Sequence, residues 1–288
     1  MLMDPLEAKF QELRDRREGA HMAHLYYGDP CEDFSLKLAE TLVENGADII
    51  ELGIPFSDPT ADGPVFQAAC ERALKAGVTP VRCIEAIAKL RKSGVKAPIV
   101  VTTYFNIPYV MGFEKFLDMV KAAGAQGLLI PDLPLEEAGP YLELAAERDL
   151  HLLLQVAPTT SKERLEHILR VATGFIYLIS HEGVTGAKLK WPNSALKRIG
   201  DIKARSAVPV VVGFGISRRE QVEIIMSAGA DGVVVGSAYA KIYSQNLLNP
   251  FELLPEIARL VHEIKIGCKK VTPPFSRLNL KIRKMVEK

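Results

Sequence analysis

Two carboxylates close to one apolar stretch are suited to acid–base chemistry. Glu51 stands inside the apolar run from Ile49 to Gly53, where an ionised side chain is costly. If Glu51 points into a barrel, removal from water raises its pKa and makes it a proton donor and acceptor near neutral pH. Asp62 follows in a loop of prolines and a glycine and could supply a second, ionised carboxylate. The alternatives are a Glu51 that turns outward to pair with a helix Lys or Arg, and an Asp62 that only caps a turn.

Glycines that follow three later apolar runs could bind an anion. They lie in the segments Gly183-Val184-Thr185-Gly186, Gly213-Phe214-Gly215-Ile216-Ser217 and Gly236-Ser237, the last of which opens a short helical stretch. Converging backbone N–H groups and a helix N-terminus form a phosphate site without any basic residue. Because glycine-rich loops are also ordinary turns, it is their recurrence after three consecutive runs that favours anion binding.

Other chemistries fit the sequence less well. Lys188 and Lys190 lie in a loop, so a Schiff-base aldolase has no strand lysine to use as a nucleophile. His21 and His24 should face opposite sides of one strand, and the four cysteines lack C-x-x-C spacing, which together disfavour a metal site. The residues therefore predict a cofactor-free acid–base reaction on a phosphorylated small molecule.

The chain supplies eight short apolar runs that could position these residues, and they alternate with amphipathic helical stretches. The runs lie near 22–27, 49–53, 99–104, 127–131, 152–156, 175–179, 208–213 and 232–236. Several are apolar almost throughout, as expected for parallel strands that are covered on both faces. A short internal repeat ends a helical stretch and begins a strand each time. It reads Gly-Ala-Asp or Gly-Ala-Gln and occurs at 46–48, 124–126 and 229–231.

This order of elements predicts an α/β fold, a single (β/α)8 TIM barrel over residues 1–266. A doubly wound sheet fits less well because no G-x-G-x-x-G follows the first strand. The residues Asp4-Pro5-Leu6-Glu7 begin an extra N-terminal helix that should run to about Arg17. In such a barrel the reactive groups stand at the carboxyl ends of the strands, which is where the glycine loops fall.

Composition is typical of a globular protein. Apolar residues make up 48% and charged residues 25%, and 36 basic against 35 acidic side chains leave a formal net charge of +1. This balance argues against disorder and against nucleic-acid binding.

Residues 267–288 form a basic C-terminal extension, with seven basic side chains and one acidic. The extension is either a frayed tail or an amphipathic helix over 277–288. Without a signal peptide or a membrane-span-length apolar run, we expect a cytoplasmic protein with no membrane contact.

Taken together, these segments resemble the tryptophan synthase α-subunit family. The run from Glu51 to Pro59, Glu-Leu-Gly-Ile-Pro-Phe-Ser-Asp-Pro, followed by Ala61-Asp62-Gly63-Pro64, is similar to a highly specific motif of that family. Further matching segments are Gly28-Asp29-Pro30, Tyr104-Phe105-Asn106, Pro131-Asp132-Leu133-Pro134 and the three glycine segments above, with Ser180 before the first of them and Ala238 after the last. The similarity covers about Leu6 to Ile266.

The resemblance implies an enzyme that cleaves indole-3-glycerol phosphate to indole and glyceraldehyde 3-phosphate with no cofactor of its own. The indole would pass to a β-subunit partner that carries pyridoxal phosphate, in an α2β2 heterotetramer. By motif position, Glu51 would protonate the indole ring carbon and accept the glycerol hydroxyl proton. Asp62 would hold the indole N–H and stabilise its developing positive charge, and Tyr177 would assist Glu51.

The resemblance also implies which residues contact the substrate and the partner. The substrate contacts are Tyr104 near Asp62, Thr185 in a lid loop over 185–191, Phe214 in the indole pocket, and Gly186, Gly215, Gly236 and Ser237 at the phosphate. The partner surface comprises Pro55, Asp58, Asn106 and Pro134. Four residues depart from the family pattern: His24, Tyr26, Thr102 and His181 stand where the family usually has Phe, Thr, an aliphatic residue and Arg. We expect these departures to make the indole pocket more polar.

Two other functions stay open from the sequence. One is an α-like protein that catalyses weakly or not at all and mainly binds and activates a β subunit; the presence of both Glu51 and Asp62 favours the enzyme. The other is a sugar-phosphate isomerase on the same barrel, which the phosphate-site glycines suggest and the loop from Pro55 to Pro64 disfavours.

Overall fold

The computed structural model describes residues 4–179, 193–213 and 215–269. The sequence predictions for His181, Thr185, Gly186 and Phe214, for the lid loop over 185–191 and for a helix over 277–288 lie outside the described residues. Within the described ranges, no helix has both the length and the apolar character that crossing a membrane requires.

The strands of the described ranges form a closed parallel barrel in chain order. They are Ala20–Tyr26 (β1), Ile49–Gly53 (β2), Ile99–Thr102 (β3), Gly127–Leu129 (β4), His151–Val156 (β5), Ile176–Ile179 (β6), Val210–Gly213 (β7) and Gly232–Val235 (β8). Each overlaps one of the eight apolar runs, and β8 closes the barrel by pairing with β1. The TIM barrel predicted from the alternation of elements is therefore confirmed.

Helices surround this barrel, and one precedes it. They are Pro5–Asp15 (α1), Glu32–Glu44 (α2), Pro64–Lys75 (α3), Pro80–Lys92 (α4), Asn106–Met111 (α5), Phe113–Ala123 (α6), Leu135–Ala146 (α7), Lys162–Val171 (α8), Asn193–Lys203 (α9), Arg219–Ser227 (α10), Ser237–Tyr243 (α11) and Leu254–Gly267 (α12). The repeated glycines act as predicted at the ends of α2, α6 and α10, because Gly46, Gly124 and Gly229 have φ of 118°, 96° and 101°.

The N-terminal helix begins as its capping residues predict and closes one end of the barrel. Asp4 Oδ1 accepts hydrogen bonds from the backbone N–H groups of Leu6 and Glu7 at 2.8 and 3.1 Å. The helix ends at Asp15, two residues before the predicted end at Arg17. Its apolar face, Leu6, Phe10 and Leu13, joins the side chains that fill the barrel interior.

That interior is apolar where it meets α1. Inward side chains from all eight strands or the residues just before them form one cluster, which comprises Ala20, Met22, Ile49, Val100, Leu129, Leu153, Phe175, Val211 and Val234. The rings of Phe10 and Phe175 lie 5.7 Å apart between their centroids. We call this cluster, with the face of α1, the barrel floor. A second layer of apolar residues packs between the strands and the outer helices.

The C-terminal end of the described chain stays attached to the barrel. Cys268 is buried, its carbonyl accepts a hydrogen bond from Gly19 N at 2.7 Å, and Lys269 forms an antiparallel bridge with Glu18. The helix α12 reaches Gly267, one residue beyond the barrel boundary expected at 266. The division into a barrel and a basic extension stays a prediction.

Candidate active site

Glu51 points into the barrel, just above the floor. It lies two residues after Ile49, which belongs to the floor, and strand alternation puts both on the same face of β2. Its side chain is 1% exposed, and its Oε1 accepts a hydrogen bond of 2.5 Å from the Thr102 hydroxyl of the neighbouring β3. The alternative of an outward Glu51 paired with a helix Lys or Arg is therefore wrong.

The surroundings of Glu51 favour its neutral form. Burial raises the pKa of its carboxyl to about 8, the hydrogen bond from Thr102 lowers it, and the negative charge of Asp62 raises it. Its other oxygen, Oε2, is buried and has no hydrogen-bond partner among the residues that the structure describes. A buried polar atom without a partner costs stability, and such atoms are often kept for chemistry. The predicted rise in the pKa of Glu51 is confirmed in direction.

His24 lies beside Glu51 as a neutral ring. The two residues are paired in the register of β1 and β2, and His24 Nδ1 is 3.5 Å from Glu51 Oε1. Burial lowers the pKa of His24 to about 3, so the ring carries no charge near neutral pH and forms no ion pair with the carboxylate. The ring packs against Tyr26 and Phe66, with centroid distances of 5.1 and 4.6 Å.

Two tyrosines hold Asp62. The hydroxyls of Tyr26 and Tyr104 both donate to Asp62 Oδ2, each at 2.6 Å. Tyr104 is itself fixed, because its hydroxyl accepts a hydrogen bond from Ala61 N at 3.1 Å and its ring stacks on Phe56 at 5.3 Å. Burial raises the pKa of Asp62, and the two hydroxyls oppose that rise because they stabilise the carboxylate. Two side-chain hydroxyls thus bind the Asp62 carboxylate, which a residue that only capped a turn would not require.

Tyr177 completes this layer from the opposite side of the barrel. Burial and then the negative charges of Glu51 and Asp62 raise its pKa well above the usual range, so it stays a neutral phenol. Across the ranges described, no hydrogen bond joins Tyr177 to Glu51. Its ring crosses the end of β7, where a Cβ on Gly213 would lie 2.6 Å from the ring Cζ. We call Glu51, His24, Thr102 and Tyr177, with Asp62 and its two tyrosines, the barrel mouth.

Glycines at other strand ends make room for the barrel mouth, which the sequence analysis did not predict. A Cβ on Gly53 would lie 2.6 Å from the Tyr26 ring, and one on Gly236 would lie 2.6 Å from the Phe66 ring. The one sequence signal for this is a glycine at the carboxyl end of an apolar run in each of β2, β7 and β8.

The residues expected at the phosphate lie beside this mouth as far as they are described. Gly236 is the N-cap of α11, which begins at Ser237, and both residues are half-buried. A Cβ on Gly236 would also lie 2.9 Å from His24 Cβ, so this helix start adjoins the neighbour of Glu51. Gly215 is exposed in the loop that follows β7.

Three of the four residues expected at a partner surface are exposed. These are Asp58, Asn106 and Pro134; the fourth, Pro55, is buried, so the prediction that it lies on an exposed partner surface is wrong. Two apolar side chains that the sequence analysis did not single out, Tyr109 and Val110 on α5, are 68% and 74% exposed. They extend the exposed surface that begins at Asn106, the first residue of the same helix.

A parallel eight-stranded barrel with one buried and one half-buried carboxylate at its mouth, Glu51 and Asp62, defines a TIM-barrel enzyme with acid–base residues. Within the ranges described, no group of three or more His, Cys, Asp or Glu side chains is arranged to hold a metal ion. A family model described as the tryptophan synthase alpha chain matches residues 10–268. The chain belongs to this family.

Relatives and solved structures agree with this assignment. The tryptophan synthase alpha chain of Geobacillus thermodenitrificans is 45% identical over 248 residues, 86% of this chain and 91% of that protein. That of Methanosarcina barkeri is 39% identical and covers 93% of this chain and 98% of its own length. The structure of tryptophan synthase subunit alpha from Legionella pneumophila has a TM-score of 0.85 at 30% identity, covering 94% of this chain and all of its own. A chain of tryptophan synthase from M. tuberculosis has a TM-score of 0.82 at 33% identity, covering 93% of this chain and all of its own.

Proposed function

We propose that this chain cleaves indole-3-glycerol phosphate to indole and glyceraldehyde 3-phosphate, the reaction of a carbon–carbon lyase in tryptophan biosynthesis. The observation that carries the proposal is Glu51, a barrel-mouth carboxyl whose burial raises its pKa to about 8. Such a group is protonated at neutral pH and can still give up its proton, which one residue needs if it is to act first as an acid and then as a base.

The reaction begins with proton transfer from Glu51 to the indole C3. A C–H bond forms there, and the ring becomes an electron-poor cation. The bond between C3 and the glycerol side chain then breaks, and its electron pair returns to the ring to give indole. The Glu51 carboxylate takes the proton of the glycerol hydroxyl as that carbon becomes the aldehyde of glyceraldehyde 3-phosphate. Glu51 ends protonated, so the cycle closes with atoms and charge in balance.

Asp62 stabilises the cation that forms in the first step. Its carboxylate accepts a hydrogen bond from the indole N–H, which becomes more acidic as the ring gains positive charge. The hydroxyls of Tyr26 and Tyr104 on Oδ2 hold this carboxylate in place and favour its charged form. Tyr177, a neutral phenol on the far side of the mouth, assists Glu51 from within the same buried layer.

The phosphate of the substrate binds at the start of α11. Gly236 and Ser237 offer backbone N–H groups and a hydroxyl there, and Gly215 contributes from the neighbouring loop. All proton transfers in this scheme use side chains of the chain itself, so we assign it no cofactor. Pyridoxal phosphate belongs to the β-subunit partner, which consumes the indole in an α2β2 assembly.

The partner binds over the rim that carries Asp58, Asn106 and Pro134. Their exposure supports this placement, as does the adjacent apolar pair Tyr109 and Val110. Exposed apolar side chains beside polar ones are typical of surfaces that a second protein covers.

The test is indole release by the purified chain, with and without a β subunit loaded with pyridoxal phosphate. We expect indole and glyceraldehyde 3-phosphate in equal amounts from the chain alone and a faster rate with the β subunit. A Glu51→Gln preparation, purified in parallel, controls for a contaminating lyase, and Glu85→Gln on the exposed face of α4 controls for the substitution itself. If the chain releases no indole yet activates the β subunit, it is a non-catalytic partner and the proposal is wrong.

A further inference from the structure

Thr102 makes the one hydrogen bond to the Glu51 carboxyl among the residues that the structure describes. Its Oγ1 donates to Glu51 Oε1 at 2.5 Å, and the side chain is 3% exposed. The residue ends β3, where it lies opposite Gly53 in the register, and it points inward because it follows the floor residue Val100 by two positions. Both partners stand on strands of the barrel, which fixes their backbones.

The two oxygens of Glu51 are therefore in different environments. Oε1 has the Thr102 hydroxyl at hydrogen-bond distance and His24 Nδ1 at 3.5 Å. Oε2 is buried and has no hydrogen-bond partner within the described ranges. In a neutral carboxyl the carbonyl oxygen accepts a hydrogen bond better than the oxygen that carries the proton. The Thr102 hydroxyl on Oε1 therefore favours the neutral form in which Oε2 carries the proton.

We propose that Thr102 is a positioning residue, which holds Glu51 by Oε1 and so makes Oε2 the oxygen that exchanges protons with the substrate. The inference rests on the proposed function and assigns one step of it to one atom. Without the hydroxyl, the Glu51 side chain can rotate about its terminal bonds, and either oxygen can carry the proton.

The hydrogen bond also affects when Glu51 is protonated. It stabilises the charged form and so offsets part of the rise in pKa that burial causes. Among the residues that the structure describes, the other groups that face Glu51 are His24 from β1, Asp62 from the loop after β2 and Tyr177 from β6. The Thr102 variants keep all three side chains.

The test compares Thr102→Val, which keeps the shape and loses the hydroxyl, with Thr102→Ser, which keeps the hydroxyl. Thr103→Val is the matched control: it removes a buried hydroxyl from the next residue, whose Oγ1 donates to the Tyr104 carbonyl at 3.4 Å. We expect Thr102→Val to lower kcat by about tenfold to hundredfold, since hydrogen bonds to charged groups are worth that much, and to leave KM within a factor of about two. Thr102→Ser should recover most of the loss, and Thr103→Val should show little of it.

A second measurement does not depend on activity. In protein labelled with 13C at the glutamate carboxyl carbons, the Glu51 signal is the one absent from Glu51→Gln. Its titration midpoint should lie near 8 in the unmodified chain, at higher pH in Thr102→Val, and at or near the original value in Thr102→Ser.

The outcomes distinguish the positioning role of Thr102 from the proposed cleavage of indole-3-glycerol phosphate. If Thr102→Val leaves the Glu51 midpoint and kcat unchanged, the positioning role is wrong. It is also wrong if Thr102→Ser is as impaired as Thr102→Val. If the unmodified chain releases no indole while the midpoint still moves as described, the hydrogen bond acts as inferred and the proposed function fails instead.

Discussion

The barrel floor and the barrel mouth are two layers of one interior, and they bury opposite kinds of side chain. The floor holds aliphatic side chains and the paired rings of Phe10 and Phe175. The mouth, one alternation step further along the same strands, holds Glu51, His24 and Thr102. One buried atom of Glu51 and one of His24 have no hydrogen-bond partner in the described part of the chain. The strands supply both, so a barrel of this kind can be stable at one layer and reactive at the next.

The difference implies that substitutions in the two layers should have separable effects. The floor contributes burial of apolar area and packing, which stabilise the fold. The mouth contributes a desolvated carboxyl, which costs stability and supplies an acid with a pKa near the working pH. A substitution in the mouth that lowered stability as much as one in the floor, or a floor substitution that abolished chemistry in folded protein, would break this comparison.

The largest effect should come from Glu51→Gln. We expect kcat for indole release to fall at least about a thousandfold, because the amide cannot transfer a proton and general acid–base groups account for factors of this size. The fold should remain intact, which circular dichroism and denaturant unfolding of the same preparation can check. Substantial indole release by a folded Glu51→Gln chain would show that Glu51 is not the acid and base of the cleavage.

The same variant should change how stability depends on pH. The folded-state pKa of Glu51 lies above its unfolded value, so the folded chain holds more protons than the unfolded one between pH 4.5 and about 8. Stability from this group is present below that window and is lost as pH rises through it. The unfolding free energy of Glu51→Gln minus that of the unmodified chain should therefore be larger at pH 9 than at pH 5. Urea unfolding of both proteins at the two pH values measures this difference. A constant difference would mean that Glu51 is not desolvated.

In the floor, Phe10→Ala should lower stability and leave the chemistry alone. Loss of the ring that packs on Phe175 removes buried area and leaves a cavity, which typically costs about 3–5 kcal/mol. Denaturant unfolding measures that loss, and kcat of the folded fraction should stay within a factor of about two of the original. A tenfold fall in kcat at temperatures where the variant is folded would show that the two layers are coupled.

Asp62→Asn should be the next most damaging change to activity. Removing the charge that stabilises the indole cation should lower kcat by about a hundredfold, as loss of one preorganised group at a developing charge does elsewhere. Residual activity above that of Glu51→Gln is expected, because the amide oxygen can still accept the indole N–H. An equal fall in kcat in Asp62→Asn and Glu51→Gln would indicate that Asp62 also takes part in proton transfer.

Among these substitutions in the mouth, Tyr26→Phe should cause the smallest loss of activity. It removes one of two hydroxyls from Asp62 Oδ2 and leaves Tyr104 in place, so we expect a roughly threefold to tenfold fall in kcat/KM. Steady-state kinetics of Tyr26→Phe and Tyr104→Phe, alone and combined, would show whether the two hydroxyls act on the same carboxylate. Strictly multiplicative losses in the double variant would argue against a shared role.

The sequence predicts most of the barrel because local signals and global topology agree. The inward orientation of Glu51 follows from a period of two and a closed sheet, and both are visible in the sequence around Ile49 to Gly53. Asp4 caps α1 as its residue type predicts, and the capping glycines have the left-handed conformation that their position demands. Boundaries were less accurate, as the early end of α1 at Asp15 shows, because helix ends fray and depend on tertiary contacts.

The contacts of the mouth could not be predicted, since they depend on rotamers and on the stagger between strands. Tyr26 and Thr102 stood out as departures from a family pattern, and the expected consequence was a more polar pocket. Their bonds to Asp62 and Glu51 join residues 36 and 51 positions apart, which periodicity does not relate. Pro55 similarly reads as a surface residue in a proline-rich loop, while its burial depends on how that loop folds back.

The pH dependence of kcat/KM for indole release tests whether the buried carboxyl of Glu51 is the acid that begins the reaction. Above pH 7 the phosphate of the substrate is already doubly charged, given its second pKa of about 6, and His24, with its pKa near 3, no longer titrates. We expect kcat/KM to fall as pH rises through about 8, because Glu51 then loses the proton that it must donate. A rate that stays level or rises between pH 7 and pH 9.5 would contradict it.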